Sequence, residues 1–514
     1  MFSETEKSLV NIAKGAGIVF LAQVIGILLG IINQVILGRT LGPSNFGLFN
    51  LGLTVIGIIL PFTTFGLYSA IRQFIPHYRG INRNDKVKGG IYFLLNFSLI
   101  TGLSLSVFLF FLSPIIAVNI FHNENLEIVI KLLCISFPFY VLYFVGTNIA
   151  QAFKISKYYL YLNTLLLKIT CIVIFILFLI FGYKLLGAIV AYNIGTALVA
   201  TAYIYIIFKK FIPSLHCNKH ERHVKKELFS IGWPLFFAGF FYLFTESTAK
   251  ILLGIYMNTS DVGIYSAVFT IASLALYVMI SFDYIFLPTV AEFYGKNDFT
   301  GIKKILCSIS KWVFLLTLPM ILYISFFSKN TIFLFYGSAY TAGSIALIIL
   351  LFGIAMNGLT GMTGEVLVGI RKTKLNLLTE VFGAITNVGL NIFLIPKFGI
   401  LGAAIGTSIS IAVRNLAQLG FVYKELKIHP YDKSFLKIIF SSIIALIPIL
   451  FLPGWIISDK YLFLITLPIF GGIYLLCLFI LKSFNDYDKM IIRVMLTKIG
   501  LKKIYEINLF KKNI

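Results

Sequence analysis

Among the charged side chains inside long apolar runs, Lys168, Glu246, Lys250, Glu380 and Arg414 stand out. A charge near the middle of a bilayer costs about 3 kcal/mol on insertion scales, so it generally faces a cavity, a partner or a translocated ion. Lysine and arginine in such places attract an anion, and a carboxylate can receive a proton or a metal cation. Glu246 and Lys250 are four residues apart and can also neutralise each other on one helix face. The amides of Gln23, Asn33, Asn193 and Asn387 occupy similar runs and can hydrogen-bond hydroxyl groups. Arg39 and Arg72 stand at the ends of runs, while Lys14, Lys131 and Lys311, also near ends, are expected to snorkel toward water.

The acids are unevenly placed. Among the first six runs only Glu127, at an edge, approaches an apolar run, whereas the later runs hold Glu246, Asp283, Glu365 and Glu380. A cationic first-half wall, joined by Lys250 and Arg414, is therefore expected to draw an anionic substrate group. Glu246 and Glu380 are the candidates for a coupling proton or sodium ion.

Enzyme signatures are missing: there is no Walker phosphate loop, no His-Glu-x-x-His and no Gly-x-Ser-x-Gly. The expectation is a non-enzyme without a cofactor, whose energy would come from a proton or sodium gradient. His216, Cys217, His220 and His223 have spacings that could hold a metal, but a solvated basic loop accounts for them more simply, and no metal is assigned. The five cysteines are scattered and imply no disulfide framework. Asn258-Thr259-Ser260 is a glycosylation sequon.

The elements that must hold these groups follow from composition. Of 514 residues 59% are hydrophobic and 12% charged, with a mean hydropathy of +0.94, where a soluble domain is about a quarter charged. Apolar runs fall at 12–37, 47–70, 89–112, 127–150, 163–182, 185–208, 229–256, 264–287, 310–333, 341–368, 376–396, 400–423, 436–457 and 461–481. Each approximates the 20 or so residues of a membrane helix, so the expectation is an all-α integral membrane protein with fourteen spans. The first run is too long for a signal-peptide core and is expected to stay in the mature protein.

Charge sets orientation. The formal net charge is +23, which in a soluble chain would suggest nucleic acid, but no nucleic-acid-binding module accompanies it. About three quarters of the cations fall in alternate connections, chiefly Arg72–Lys88, Lys209–Lys226 and Lys482–Lys512. By the positive-inside rule both termini are cytoplasmic. The tail mixes apolar and basic residues in a way that suits the inner leaflet surface.

An internal repeat organises the runs. Gly38 and Gly47 are spaced like Gly254 and Gly263, and Leu186-Gly187-Ala188-Ile189 returns as Leu401-Gly402-Ala403-Ala404. An even number of spans separates the copies, which predicts two six-helix lobes related by a pseudo-two-fold along the membrane normal. The boundaries are 1–210 for the first lobe, 211–228 for a basic cytoplasmic linker and 229–424 for the second lobe. A terminal helix pair covers 425–482 and a basic tail 483–514. Six prolines inside runs and the Gly26-x-x-x-Gly30 pair offer kinks and close helix approach.

Asn11, Gln23, Gly38-Arg39-Thr40-Leu41-Gly42-Pro43, Phe46-Gly47-Leu48-Phe49 and Phe65-Gly66-Leu67-Tyr68-Ser69-Ala70-Ile71-Arg72 resemble the polysaccharide biosynthesis flippases of the multidrug/oligosaccharidyl-lipid/polysaccharide exporter superfamily. The resemblance implies movement of a polyprenyl phosphate or diphosphate carrying a short glycan from the inner to the outer leaflet, by alternating access through a cationic cavity. Glycan polymerases or glycosyltransferases would be its partners, and membrane lipid its surroundings. On that reading Lys168, Lys250 and Arg414 draw the phosphate, and Gln23, Asn33, Asn193 and Asn387 meet the sugars. Arg39 and Arg72 match the family motif by position. Cation-coupled multidrug exporters of the superfamily often carry an acid in the first span, and 12–37 has none. The same pattern of runs would also suit a peptidoglycan-precursor flippase or a non-transporting membrane scaffold for glycan synthesis.

Overall fold

The computed structural model describes the backbone of residues 4–153, 158–215, 224–451 and 461–483. Side chains are described from residue 25 onward within these segments, apart from 159, 160, 234, 238, 242, 281, 283–285, 288 and 462. The His216, Cys217, His220 and His223 group, the tail beyond 483 and the side chains of Lys14, Gln23 and Asp283 lie outside the described residues.

Every regular element among the described residues is helical, the expected solution where no water is present to satisfy open backbone groups. In chain order the helices are α1 (Glu4–Thr64), α2 (Leu67–Gly80), α3 (Asn84–Pro114), α4 (Glu124–Ala152), α5 (Leu167–Ile180), α6 (Leu185–Ile206), α7 (Lys225–Tyr256), α8 (Thr259–Ala272) and α9 (Leu274–Gly295). They continue with α10 (Phe299–Phe326), α11 (Ser328–Tyr336), α12 (Ser344–Thr360), α13 (Thr363–Gly369), α14 (Thr373–Phe398), α15 (Ile400–Leu426), α16 (Lys433–Leu450) and α17 (Thr466–Ile480).

Twelve helical stretches among the described residues are long and apolar enough to cross a membrane, or thirteen if the bent pair α8 and the start of α9 counts as one span. The difference from fourteen lies in α1. Its apolar part, Ile25–Thr64, has 40 residues, enough for two spans. It consists of two helices that meet at a kink at Gly42, whose φ of 71° and ψ of 170° are non-helical, so the first two expected runs are counted together. Pro43 follows at a position where its missing N–H costs little. The run expected at 341–368 is also interrupted. It stops at Thr360 because Gly361 adopts φ of 70° and the Ser310 side chain fills the space a Cβ would need.

The described chain packs as two compact units. One comprises residues 1–271, 335–346 and 380–410, and the other 272–334, 347–379 and 411–514. The first is centred on Ile71, Phe74, Leu94, Val145, Val199 and Tyr203. The second has one core around Phe314, Phe435, Phe463 and Phe470 and another around Phe286, Val290, Leu306 and Leu367.

Candidate functional site

Within the first unit, α1, α5 and α6 border a small pocket of about 80 Å³. Asn33, Gln34, Lys168, Cys171 and Tyr192 supply its polar lining, and Leu37, Phe49, Leu53 and Phe175 part of its apolar wall. The sequence explains the juxtaposition. Gly26 and Gly30 are one turn apart on α1, and opposite them stand Thr164 and Lys168, also one turn apart. A Cβ on Gly26 would overlap Thr164, and one on Gly30 would stand 3.9 Å from Lys168 Cε. The small-residue stripe therefore brings the lysine stem onto α1, as close helix pairs in membranes require.

A π-helical segment, Tyr159–Leu166, leads into Lys168. Its extra residue per turn re-aims side chains, which is why such segments recur at functional places. Asn163 pins it, donating to Thr147 Oγ1 at 3.1 Å and accepting from Tyr203 Oη at 2.8 Å. The pocket thus presents one ammonium, two amides and a phenol, and none of its lining residues is an acid. Gln34 Oε1 is buried without a hydrogen-bond partner. Such a lining suits a small anionic group flanked by hydroxyls.

Two of the candidate residues, Lys168 and Asn33, therefore share one cavity. Gln34, Cys171 and Tyr192 were missed; the adjacency of Gln34 to Asn33 was the available signal. Asn193 projects elsewhere, donating to the Leu132 carbonyl at 2.9 Å with its Oδ1 unpartnered. Asn387 is fully buried, and its amide is held on both sides. It donates to Ser410 Oγ at 3.0 Å and accepts from Asn391 at 3.0 Å. Lys250 stands over the Phe269 ring at 5.9 Å on the same helix as the exposed Glu246, and Glu380 is half-buried on α14.

Arg39 is exposed and its Nε donates to the Phe335 carbonyl at 2.8 Å, tying α1 to the end of α11. Arg72 is exposed on α2 with Nη2 3.4 Å from Ser69 Oγ. Arg414 belongs to the second unit, where Nη2 lies 3.4 Å from Asn357 Oδ1 and Asn415 reaches the same oxygen at 2.9 Å. Lys311 corrects the snorkelling expectation. It is 2% exposed and donates to the Ser483 carbonyl at 2.7 Å. An ammonium there satisfies a carbonyl left open just past α17, a stronger claim on it than solvent. Lys131 remains partly exposed and pairs with Glu127 at 2.6 Å.

The repeat is visible in contacts inside the first unit. The Gly47 backbone abuts Thr259 and Gly263, and the Gly263 backbone abuts Pro43 and Gly47. Likewise Tyr336 fills the space beside Gly38, and Phe121 that beside Gly254. Each contact exchanges positions about 216 residues apart, the reciprocity that a two-fold axis between repeats produces.

Comparison with known proteins agrees with this architecture. Residues 12–294 match the polysaccharide biosynthesis protein family, and residues 234–393 match the MatE family. An uncharacterized membrane protein of Methanocaldococcus jannaschii is 26% identical over 476 residues, 88% of this chain and 92% of that protein. A probable low-salt glycan biosynthesis flippase of Haloferax volcanii is 24% identical over 241 residues, 45% of this chain and 50% of that one. The inward closed conformation of the lipid II flippase MurJ superposes with a TM-score of 0.72 at 22% identity, covering 90% of this chain and 98% of that one. The protein is a multi-pass membrane transporter that belongs to the polysaccharide biosynthesis protein family, within the multidrug/oligosaccharidyl-lipid/polysaccharide exporter superfamily.

Proposed function

We propose that the protein flips a lipid-linked oligosaccharide, a polyprenyl phosphate or diphosphate bearing a short glycan, from the inner to the outer leaflet by alternating access. The observation that supports this most directly is the pocket in which Lys168 meets Asn33 and Gln34 with no acid in the lining. An ammonium that no lining acid neutralises favours an anionic headgroup over a cationic drug. The name of the Haloferax relative, a glycan biosynthesis flippase, points the same way.

On this reading both termini are cytoplasmic, the product feeds glycan polymerases or glycosyltransferases, and a proton or sodium gradient acting at Glu246 or Glu380 supplies direction. The decisive experiment is purified protein in vesicles with a fluorescent lipid-linked sugar. Protein-dependent inward-to-outward movement of the labelled lipid is the expected result. Extrusion of a cationic dye without lipid movement would favour the multidrug exporter, and neither activity in folded protein would favour a scaffold. Imposed proton and sodium gradients in the same vesicles test the coupling.

A further inference from the structure

One side of the Lys168 pocket continues as a row of tyrosines. Tyr192 of α6 borders the pocket together with Lys168, Asn33 and Gln34. Its ring centroid lies 6.3 Å from that of Tyr140 on α4, and Tyr140 lies 6.0 Å from Tyr143. Phe49 of α1, which also lines the pocket, meets the Tyr192 ring edge-on at 6.3 Å. The row from Tyr192 to Tyr143 therefore begins where the ammonium stands.

The placement follows from helical spacing. Tyr140, Tyr143 and Thr147 share one face of α4. Thr147 is the residue that receives Asn163 at 3.1 Å and so fixes the π-helical segment leading into Lys168. Asn193, next to Tyr192, donates to the Leu132 carbonyl of α4 at 2.9 Å and holds α6 against α4. The row and the lysine are thus positioned from the same helix. Tyr140, Tyr143 and Tyr192 are half-buried and do not belong to the core. Tyr140 and Tyr192 lie deep among protein groups, so the surface that they keep accessible faces interior space and not lipid.

Phenols on flat apolar rings match a neutral polyol. Each hydroxyl both donates and accepts, and the ring faces can cover the C–H face of a sugar. Ring faces also attract cations, but the Lys168 ammonium in the shared pocket opposes a cationic ligand. That same ammonium sets the order along the row, with the phosphate at Lys168 and the sugar on the rings beside it. Resting on the flippase reading, we infer that Tyr192, Tyr140 and Tyr143 form a sugar subsite, which takes the hexose or hexosamine joined to the lipid phosphate held at Lys168.

The test measures binding of two fluorescent short-chain polyprenyl diphosphates to the full chain in detergent, one bearing a single N-acetylhexosamine and one without sugar. Tyr140→Leu keeps an apolar side chain against α6 and removes the ring. It is expected to weaken the sugar-bearing lipid about tenfold and to leave the sugarless lipid unchanged. Tyr140→Phe, which keeps the ring, should retain most of the affinity, and Lys168→Gln should weaken both lipids. Equal weakening of both lipids by Tyr140→Leu, the result expected of mere packing or of a prenyl tail on the rings, would overturn the subsite. No change in either lipid would do the same. If Tyr140→Leu does not fold, Tyr143→Leu carries the same comparison. Failure of the unaltered protein to bind either lipid would instead overturn the flippase reading, and the subsite with it.

Discussion

At the scale of single residues, the most informative side chain is Lys168. A half-buried ammonium whose pocket lining contains no carboxylate is a cost to folding that function must justify. Lys168→Gln should therefore leave the melting temperature in detergent unchanged or raise it, while lowering the rate of lipid flipping about tenfold or more. Lys168→Arg should retain part of the rate. A Lys168→Gln variant with a lowered melting temperature whose folded fraction flips lipid at the unaltered rate would mark the lysine as structural. Tyr78, outside the membrane spans, gives a pH test. Its hydroxyl donates to Glu227, and this hydrogen bond, followed by burial, raises its pKa above the ordinary tyrosine value. A raised value means the folded state holds its proton more tightly. The stabilisation is thus complete below about pH 10, the unfolded range, and is lost as pH rises through the folded value. Melting curves should show the unaltered protein losing its advantage over Tyr78→Phe only in strongly alkaline buffer. A difference that disappears near neutrality would contradict the assignment. Sequence alone singled out Lys168 and Asn33, which line one pocket, because a charge or amide inside an apolar run is rare. It misplaced Asn387 and Lys311, whose polar atoms are held by Ser410, Asn391 and the Ser483 carbonyl. Those pairings join distant parts of the chain and leave no local pattern.

At the scale of elements, hydropathy located the spans well because lipid demands long apolar helices. The junctions are tighter than the sequence suggests. The polar stretch around Arg39 stays helical up to Gly42, where two helices meet at a kink with no loop between them. Just beyond this break α1 meets α8, with Ser44 Oγ 3.2 Å from Thr259 Oγ1 and Gly47 facing Gly263. Backbone pressed on backbone leaves no side chain to rotate aside, so Gly47→Val or Gly263→Val should force the crossing apart. The same closeness permits a reversible lock. In a variant lacking the native cysteines, Ser44→Cys with Thr259→Cys should form a disulfide under mild oxidation. If this crossing opens during transport, the oxidised protein should stop flipping lipid and recover on reduction. Full activity in the crosslinked protein would show that α1 and α8 stay together throughout the cycle.

At the scale of the whole molecule, the repeat was legible as an offset of glycines, and its reciprocal contacts give that offset a physical meaning. Gly38 and Gly254 both stand where a Cβ would collide with a packed neighbour, Tyr336 in one case and Leu51 with Phe121 in the other. The same duplication requires the two copies to share one orientation, so charge bias should be repeated as well. It is: the turns after α2, α9, α13 and α15 carry Arg83, Lys296, Arg371 with Lys372, and Lys427, whereas those after α7 and α11 carry Asn258 and Ser338. By the positive-inside rule the first group is expected on the cytoplasmic side. Single cysteines in a cysteine-free chain test this directly. A membrane-impermeant thiol reagent applied to intact cells should label Asn258→Cys and Ser338→Cys, and should reach Arg83→Cys and Lys296→Cys only after permeabilisation. The opposite pattern would invert the topology.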